Sequence, residues 1–156
     1  MKSEAIDCFG GGVCLLSAKD GSFDNGCIIN TVMKASEEPA VIAAAVDKNN
    51  KTCDIIKRTG EFNITVLTED VPPETIRHFG EETGAERDKF QDNALFERSA
   101  NGICYLNTCS NAFLSGSVRE TIDLGSHMIF FADVKESRIF NNSPALSYSE
   151  YKAWER

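Results

Sequence analysis

The chain has no long apolar run, no excess of positive charge, few histidines and no closely paired cysteines, and each absence removes a class of function. The longest uninterrupted apolar stretch, Ala40–Val46, is far short of the roughly 20 residues that a membrane-crossing helix requires. Sixteen Lys and Arg against 24 Asp and Glu leave a net charge of −8. A nucleic-acid partner is therefore not expected, because phosphate backbones are bound by basic surfaces. One small anion in a local basic pocket remains compatible with that charge. Six cysteines stand at 8, 14, 27, 53, 104 and 109, and none forms a C-x-x-C pair. A structural zinc or cluster site has no spacing to support it, and no bound metal is expected. The N-terminus has Lys2 followed by Glu4 and Asp7, with a short apolar stretch only from Val13 to Leu16, which does not match a secretory leader. The expectation is a cytoplasmic protein with reduced, mostly buried thiols.

With 156 residues, 42% of them apolar and 26% charged, the chain suits one globular domain, taken as 1–156, large enough to close its own core. Strand signals dominate. Val13–Lys19 is an apolar run ended by the turn pair Asp20-Gly21. Cys27–Met33 follows another turn element, Asn25-Gly26. Ala40–Val46 enters from Pro39 and is apolar on both faces, as in a strand covered on both sides. Its alanines suit the close approach of a backbone or a flat ligand, and equally suit plain tight packing.

A short helix is expected over Cys53–Thr59, with Thr52 as its cap, Lys57 and Arg58 in the last turn, and Gly60 as its stop. Glu61–Thr68 alternates as a half-buried strand. A second helix is expected from Pro72-Pro73-Glu74 to Gly80, with Asp70 as cap. Residues 81–100 are polar and read as loop or broken helix. Ala112–Leu124 and His127–Phe140 read as two long strands joined by a Gly125-Ser126 turn. No element is assigned after Asn141. Gly10-Gly11-Gly12 precedes a strand instead of following one, so it reads as a flexible joint and not as a phosphate loop. Six strands with short helices, and no alternation of strand and helix, predict a mainly β, antiparallel barrel with short helical insertions.

Several residues carry chemistry. The loop Asp47–Thr52 (DKNNKT) precedes a helix, and a helix N-terminus with Lys48, Lys51 and the Thr52 hydroxyl nearby suits a phosphate. An exposed polar loop with Thr52 as an ordinary cap is the competing reading. Asn30 and Thr31 end an otherwise apolar strand and, if buried, need partners. The polar edge of a heterocycle and the backbone of a neighbouring strand both qualify. His127 opens an apolar strand, and His78 sits at a helix end where a structural role suffices. No nucleophile–base pair is identifiable beside either histidine.

Taken together, DNGCIINT (24–31), DKNNKTCDII (47–56), TGEFNITVL (59–67), HFGEETGAERDKF (78–90) and ETIDLGSH (120–127) resemble the flavin reductase-like, FMN-binding split-barrel family. The similarity is to its flavoredoxin and high-molecular-weight rubredoxin type. The stretches run in family order from about residue 8 to 140; each alone is modest, and the ordered set is specific. The resemblance implies a Greek-key split β-barrel that forms a homodimer and holds FMN near the dimer interface. Carried over by position, Ile28, Ile29, Asn30 and Thr31 would line the flavin ring. Asp47, Lys48, Asn49, Lys51 and Thr52 would surround its phosphate and ribityl chain, with Phe79 and Lys89 completing the phosphate end. His127 matches the histidine of the family's Gly-Asp-His motif, associated with the nicotinamide of NAD(P)H, and Ser126 replaces the carboxylate there. The implied activity is NAD(P)H-dependent flavin reduction, with hydride passing from nicotinamide to flavin. The alternative is a flavoredoxin-like electron carrier with bound FMN and no direct use of nicotinamide. The family's larger members can carry a rubredoxin-like domain with C-x-x-C pairs. None occurs up to Arg156, so the expected acceptor is a separate redox partner protein or free flavin.

Overall fold

The computed structural model describes residues 4–80 and 96–154. After a 3-10 turn at Glu4–Phe9 come β1 (Cys14–Asp20), β2 (Phe23–Ile29), β3 (Val32–Ser36), β4 (Val41–Asp47), α1 (Lys51–Thr59), β5 (Glu61–Leu67) and α2 (Pro73–Gly80). They are followed by β6 (Phe96–Arg98), β7 (Cys104–Leu106), β8 (Ser110–Asp123), β9 (His127–Ile139) and α3 (Tyr148–Trp154). The protein is mainly β, as expected. Seven strands form one antiparallel sheet in the order β2-β1-β5-β8-β9-β4-β3. Placing β5 beside β1 and β4 beside β9 gives the non-consecutive neighbours of a Greek key.

Topology closes this sheet. Its two edges, β2 and β3, are consecutive in the chain and separated only by Asn30 and Thr31. At no more than about 3.6 Å per residue, that link forces both edges to the same corner. The sheet must therefore curl into a barrel, split where β2 and β3 share no ladder. The side chains of Leu16, Cys27, Ile64, Ala44, Phe130 and Ala132 fill its interior, joined by Cys53, Ile55 and Ile56 of α1. A second apolar cluster covers the outside of β1 and β5, built from Val13, Leu15, Leu67, Ile76 and Phe79 of α2, and Leu146. The alternation of β1 thus supplies both clusters.

Several local expectations change. The first hairpin turns at Gly21-Ser22, with Asp20 opposite Phe23 and Gly21 at φ +60°. Asn25-Gly26 lies inside β2 instead of forming a turn, because the two-residue turn upstream fixes a register that runs straight through it. The expected strand Cys27–Met33 is broken at Asn30-Thr31, where the chain leaves one sheet edge for the other. Helix α1 begins at Lys51 with Asn50 as its N-cap residue (φ −76°, ψ 134°), and no side chain caps it. Thr52 is therefore not the cap. Its end is as expected: Gly60, at φ 74°, donates its N–H to the Ile56 carbonyl at 2.8 Å. Asp70 accepts the Thr68 hydroxyl instead of capping α2.

Part of the 81–100 stretch, Phe96–Arg98, is a strand paired with β7, and residues 81–95 lie outside the described residues. Beneath the β6–β7 hairpin, buried Asn63 donates to the Ser99 hydroxyl at 2.8 Å and to the Ile103 carbonyl at 3.1 Å. Arg98 holds buried Asp24 through two hydrogen bonds of 2.8 Å. The glycine run is a site of close approach instead of a loose joint. A Cβ on Gly10 would lie 2.8 Å from Tyr148 Cδ1, and one on Gly11 3.2 Å from the Asn30 carbonyl. No described helix is long and apolar enough to cross a membrane.

Candidate functional site

The corner where the sheet edges meet positions the site. Thr31, just past the break, donates its hydroxyl to the Ala45 carbonyl at 2.6 Å and accepts the Ala45 N–H through its own carbonyl at 3.1 Å. This ties the start of β3 to the end of β4. Two residues further along β4, Asp47 stands opposite His127 on β9, and the Lys48 N–H reaches the Ser126 carbonyl at 3.0 Å. Asn30, Thr31, the Asp47–Lys48 turn and His127 therefore converge, although they come from distant parts of the sequence.

Two hollows open at this corner. The smaller, of about 310 Å³, is lined by Val13, Ile28, Ile29, Asn30, Gly80, Tyr148 and Tyr151. The larger, of about 710 Å³, includes Asn30, Thr31, His127, Tyr148 and the apolar rim Ile6, Phe9 and Met33. They meet at Asn30 and Tyr148. Ile29 is buried in the barrel core, so it borders the hollow mainly as backbone, whereas Ile28 is half-buried on the outer face.

The loop beyond His127 has the features of an anion site. The Asp47 carboxylate accepts the Asn49 N–H at 2.8 Å, and the Asn50 N–H bonds back to the Asp47 carbonyl at 3.0 Å. This turn delivers the chain to an α1 N-terminus where the Cys53 N–H bonds back to the Asn50 carbonyl at 3.1 Å and no side chain caps the positive end of the helix dipole. Lys48 supplies a cation and pairs with Asp123 at 2.9 Å. The hydrogen bond from Lys48, with a second from the Gly125 N–H, holds the Asp123 carboxyl below the usual carboxylate range. The Ser126 hydroxyl lies 2.9 Å from His127 Nδ1.

Two expected site residues serve other partners, and a third is not among the described residues. Thr52 is 1% exposed and donates its hydroxyl at 2.5 Å to Asn25 Oδ1 inside the barrel. Phe79 is 1% exposed in the outer cluster, edge-on to Phe96 at 5.6 Å, and presents almost no surface to a ligand. Lys89 lies outside the described residues. Conversely, Tyr148, Tyr151, Gly10 and Gly11 line or shape the hollows without having been singled out for a ligand. One signal for the tyrosines was present: Ser147-Tyr148-Ser149-Glu150 is a capping box, in which the Ser147 hydroxyl accepts the Glu150 N–H at 3.1 Å and donates to the Glu150 carboxylate at 2.9 Å. Of the cysteines, four are buried, and burial pushes the Cys14 thiol up to about 12.

Comparison with known proteins agrees with the fold. The flavin reductase like domain family matches residues 6–155. High molecular weight rubredoxin of Moorella thermoacetica is 32% identical over 151 residues, which cover 97% of this chain and 66% of that protein. The ferric-chelate reductase (NAD(P)H) of Archaeoglobus fulgidus is 26% identical over 140 residues, 90% of this chain and 82% of that protein. Among solved structures, an NADH:FAD oxidoreductase of Streptomyces globisporus superposes with a TM-score of 0.81 at 19% identity, over 90% of this chain and 82% of that one. An FMN-binding protein of Thermus thermophilus gives 0.77 at 16% identity, over 86% and 73%. At these identities the two structures establish the fold.

Proposed function

Because the chain belongs to the flavin reductase like domain family, we propose that it is an oxidoreductase that binds FMN and reduces it with NADH or NADPH. The observation that carries this reading is the adjacency of an uncapped helix N-terminus to a ring-sized hollow bordered by Asn30, Thr31 and His127. A bound flavin would supply the redox chemistry, hydride acceptance from a reduced nicotinamide. The protein binds and orients. Lys48, Lys51 and the Lys51 and Thr52 N–H groups receive the phosphate, with Asp47 and Asn49 fixing the turn that presents them. Asn30 and Thr31, with the backbone of Ile28 and Ile29, take the ring. His127, on the larger hollow, positions the nicotinamide.

FMN is favoured over FAD by the single short basic loop, which suits one phosphate. The rim Ile6, Phe9 and Met33, at 69%, 88% and 62% exposure, supports a homodimer that covers the larger hollow. A cytoplasmic setting belongs to the same reading and is supported by the free thiols of Cys8 and the buried cysteines.

The test is anaerobic mixing of FMN-loaded protein with NADH and with NADPH, following loss of flavin absorption. Bleaching by either supports the reductase, and an unchanged spectrum at millimolar nucleotide refutes it. Replacing His127 by Ala should slow bleaching while FMN stays bound. One observation favours the second reading, an FMN-bound electron carrier fed by a partner protein: Ser126 puts a hydroxyl, not a carboxylate, beside His127. That carrier would bind FMN, fail to bleach with nucleotide, and still be reduced by a low-potential protein donor.

A further inference from the structure

The C-terminal helix has no part in the roles assigned above, yet it reaches the middle of the cleft. Tyr148 borders both hollows, and Tyr151 borders the smaller one. Their placement is built in. The Val13 N–H donates to the Leu146 carbonyl at 2.8 Å, the Leu146 N–H to the Leu67 carbonyl at 2.9 Å, and the Tyr148 N–H to the Gly11 carbonyl at 3.1 Å. Leu146, fully buried, anchors the segment in the outer cluster. The capping box starts α3 at once, and Tyr148, Tyr151 and Trp154 follow as a row of rings with centroids 6.3 and 6.4 Å apart. Gly10 and Gly11 leave room where a side chain would strike Tyr148 and the Asn30 carbonyl.

We infer that α3 is a wall of the flavin cleft, with Tyr148 and Tyr151 positioning the apolar dimethylbenzene edge of the isoalloxazine in the smaller hollow. The inference rests on the flavin reading above. An isoalloxazine is amphipathic: its pyrimidine edge carries carbonyls and an N–H, and its opposite edge is a methylated benzene ring. The corner has the same polarity. Asn30 and Thr31 offer amide and hydroxyl groups, whereas Ile28 and the rings of the two tyrosines place apolar surface beside them in the smaller hollow. The phosphate loop adjoins His127 on the larger hollow, so a flavin anchored there points its ring toward Asn30 and beyond it to the tyrosines. Tyrosine suits this task, being rigid and flat with few rotatable bonds to immobilise.

A phenol in contact with an isoalloxazine quenches its fluorescence by donating an electron to the excited state, and phenylalanine does not. The experiment is therefore titration of the full chain with FMN, recording both the Kd and the fluorescence of the bound flavin. The wild type should bind FMN in a nearly dark state. The double variant Tyr148→Phe, Tyr151→Phe, which preserves packing, should brighten bound FMN several-fold with little change in Kd, and each single variant by less. Tyr148→Leu should raise the Kd by about tenfold. Gly10→Ala combined with Tyr151→Phe, in which the new methyl displaces the Tyr148 ring, should brighten bound FMN as the double Phe variant does. Bound FMN that is already bright in the wild type, or equally dark in the double Phe variant, overturns the inference while leaving the flavin reading intact. A wild type that takes up no FMN overturns the flavin reading itself, before any variant is made.

Discussion

Thr52 separates two uses of one hydroxyl, and its replacement by Val tests them directly. In the structure its hydroxyl donates at 2.5 Å to Asn25 Oδ1, with both residues 1% exposed. The bond joins α1 to β2 across the barrel interior. Val keeps the shape and branching of Thr but removes the donor, so the Asn25 carbonyl oxygen is left buried without it. Losing a hydrogen bond and stranding its acceptor costs about 2 kcal/mol, within the usual 1–3 kcal/mol. With a urea m-value of about 2 kcal/mol/M for a domain of this size, the unfolding midpoint should fall by about 1 M. FMN affinity should change less than about twofold, since the hydroxyl serves the core. The double variant Asn25→Leu, Thr52→Val removes both ends of the pair and also the Asn25 amide nitrogen, which has no partner among the described residues. It should recover about 1 kcal/mol or more of the loss. An unchanged midpoint together with a tenfold weaker FMN complex would refute this, because the hydroxyl would then be serving the ligand.

Gly116→Ala should destabilise the barrel by about 1–3 kcal/mol in a denaturant titration. A Cβ there would sit 2.9 Å from Ala132 Cβ and 3.2 Å from Phe62 Cζ, in a core with little room to yield. Asp123→Asn frees Lys48 from its pair and should tighten FMN binding by a few-fold at low salt while leaving riboflavin binding unchanged, as a phosphate effect requires. Equal gains for both ligands would argue against Lys48 at the phosphate. Glu69 is raised above its ordinary value of 4.5, first by the charge of Glu150 on α3. A group with a raised folded value contributes stability below its ordinary value and loses that contribution as pH rises through the folded one. The α3 amides should therefore show higher hydrogen-exchange protection factors near pH 4.5 than at neutral pH, and Glu69→Gln should flatten the difference.

What could be read from the sequence was what local chemistry decides. Gly60 ends α1, and Gly125, at φ 95°, turns β8 into β9, because in each case one residue's backbone freedom dominates its neighbourhood. Asn25-Gly26 misled for the same reason in reverse. It is a strong hairpin dipeptide, yet the turn four residues earlier had already set the register. Thr52 had the right type and position for a cap, and its true partner lies 27 residues upstream on another element. The pattern of α2 carried a usable warning about Phe79: Ile76 and Phe79 are three apart on one helical face, as core residues are. For Tyr148 the capping box was legible. Its place in the cleft was not, since that depends on the bridge between Gly12 and Ser147 at opposite ends of the chain.

The position of the site follows from the barrel's own closure problem. A fully closed barrel has no free edge, and an open sheet exposes two rows of unpaired peptide groups. This chain adopts neither arrangement, because it must pass from the β2 edge to the β3 edge within two residues. Asn30 and Thr31 consequently lie outside both ladders, and their polar groups have to be met by something other than strand pairing. Thr31 meets part of that demand with Ala45, and Gly11 packs against the Asn30 carbonyl. The hollows on either side of Asn30 persist because the covering segments are a glycine run and a short helix, which do not fill the corner as a paired strand would. Polar side chains at 30 and 31 suit such a place whatever binds there, which is why those residues alone could not decide between a ligand and a neighbouring backbone. The feature that favours a ligand is the uncapped helix with its lysines, which follows the ladder end where Asp47 pairs with His127. A corner that needs polar partners, placed beside a helix end suited to an anion, is the arrangement on which the proposed binding of a polar ring joined to a phosphate rests.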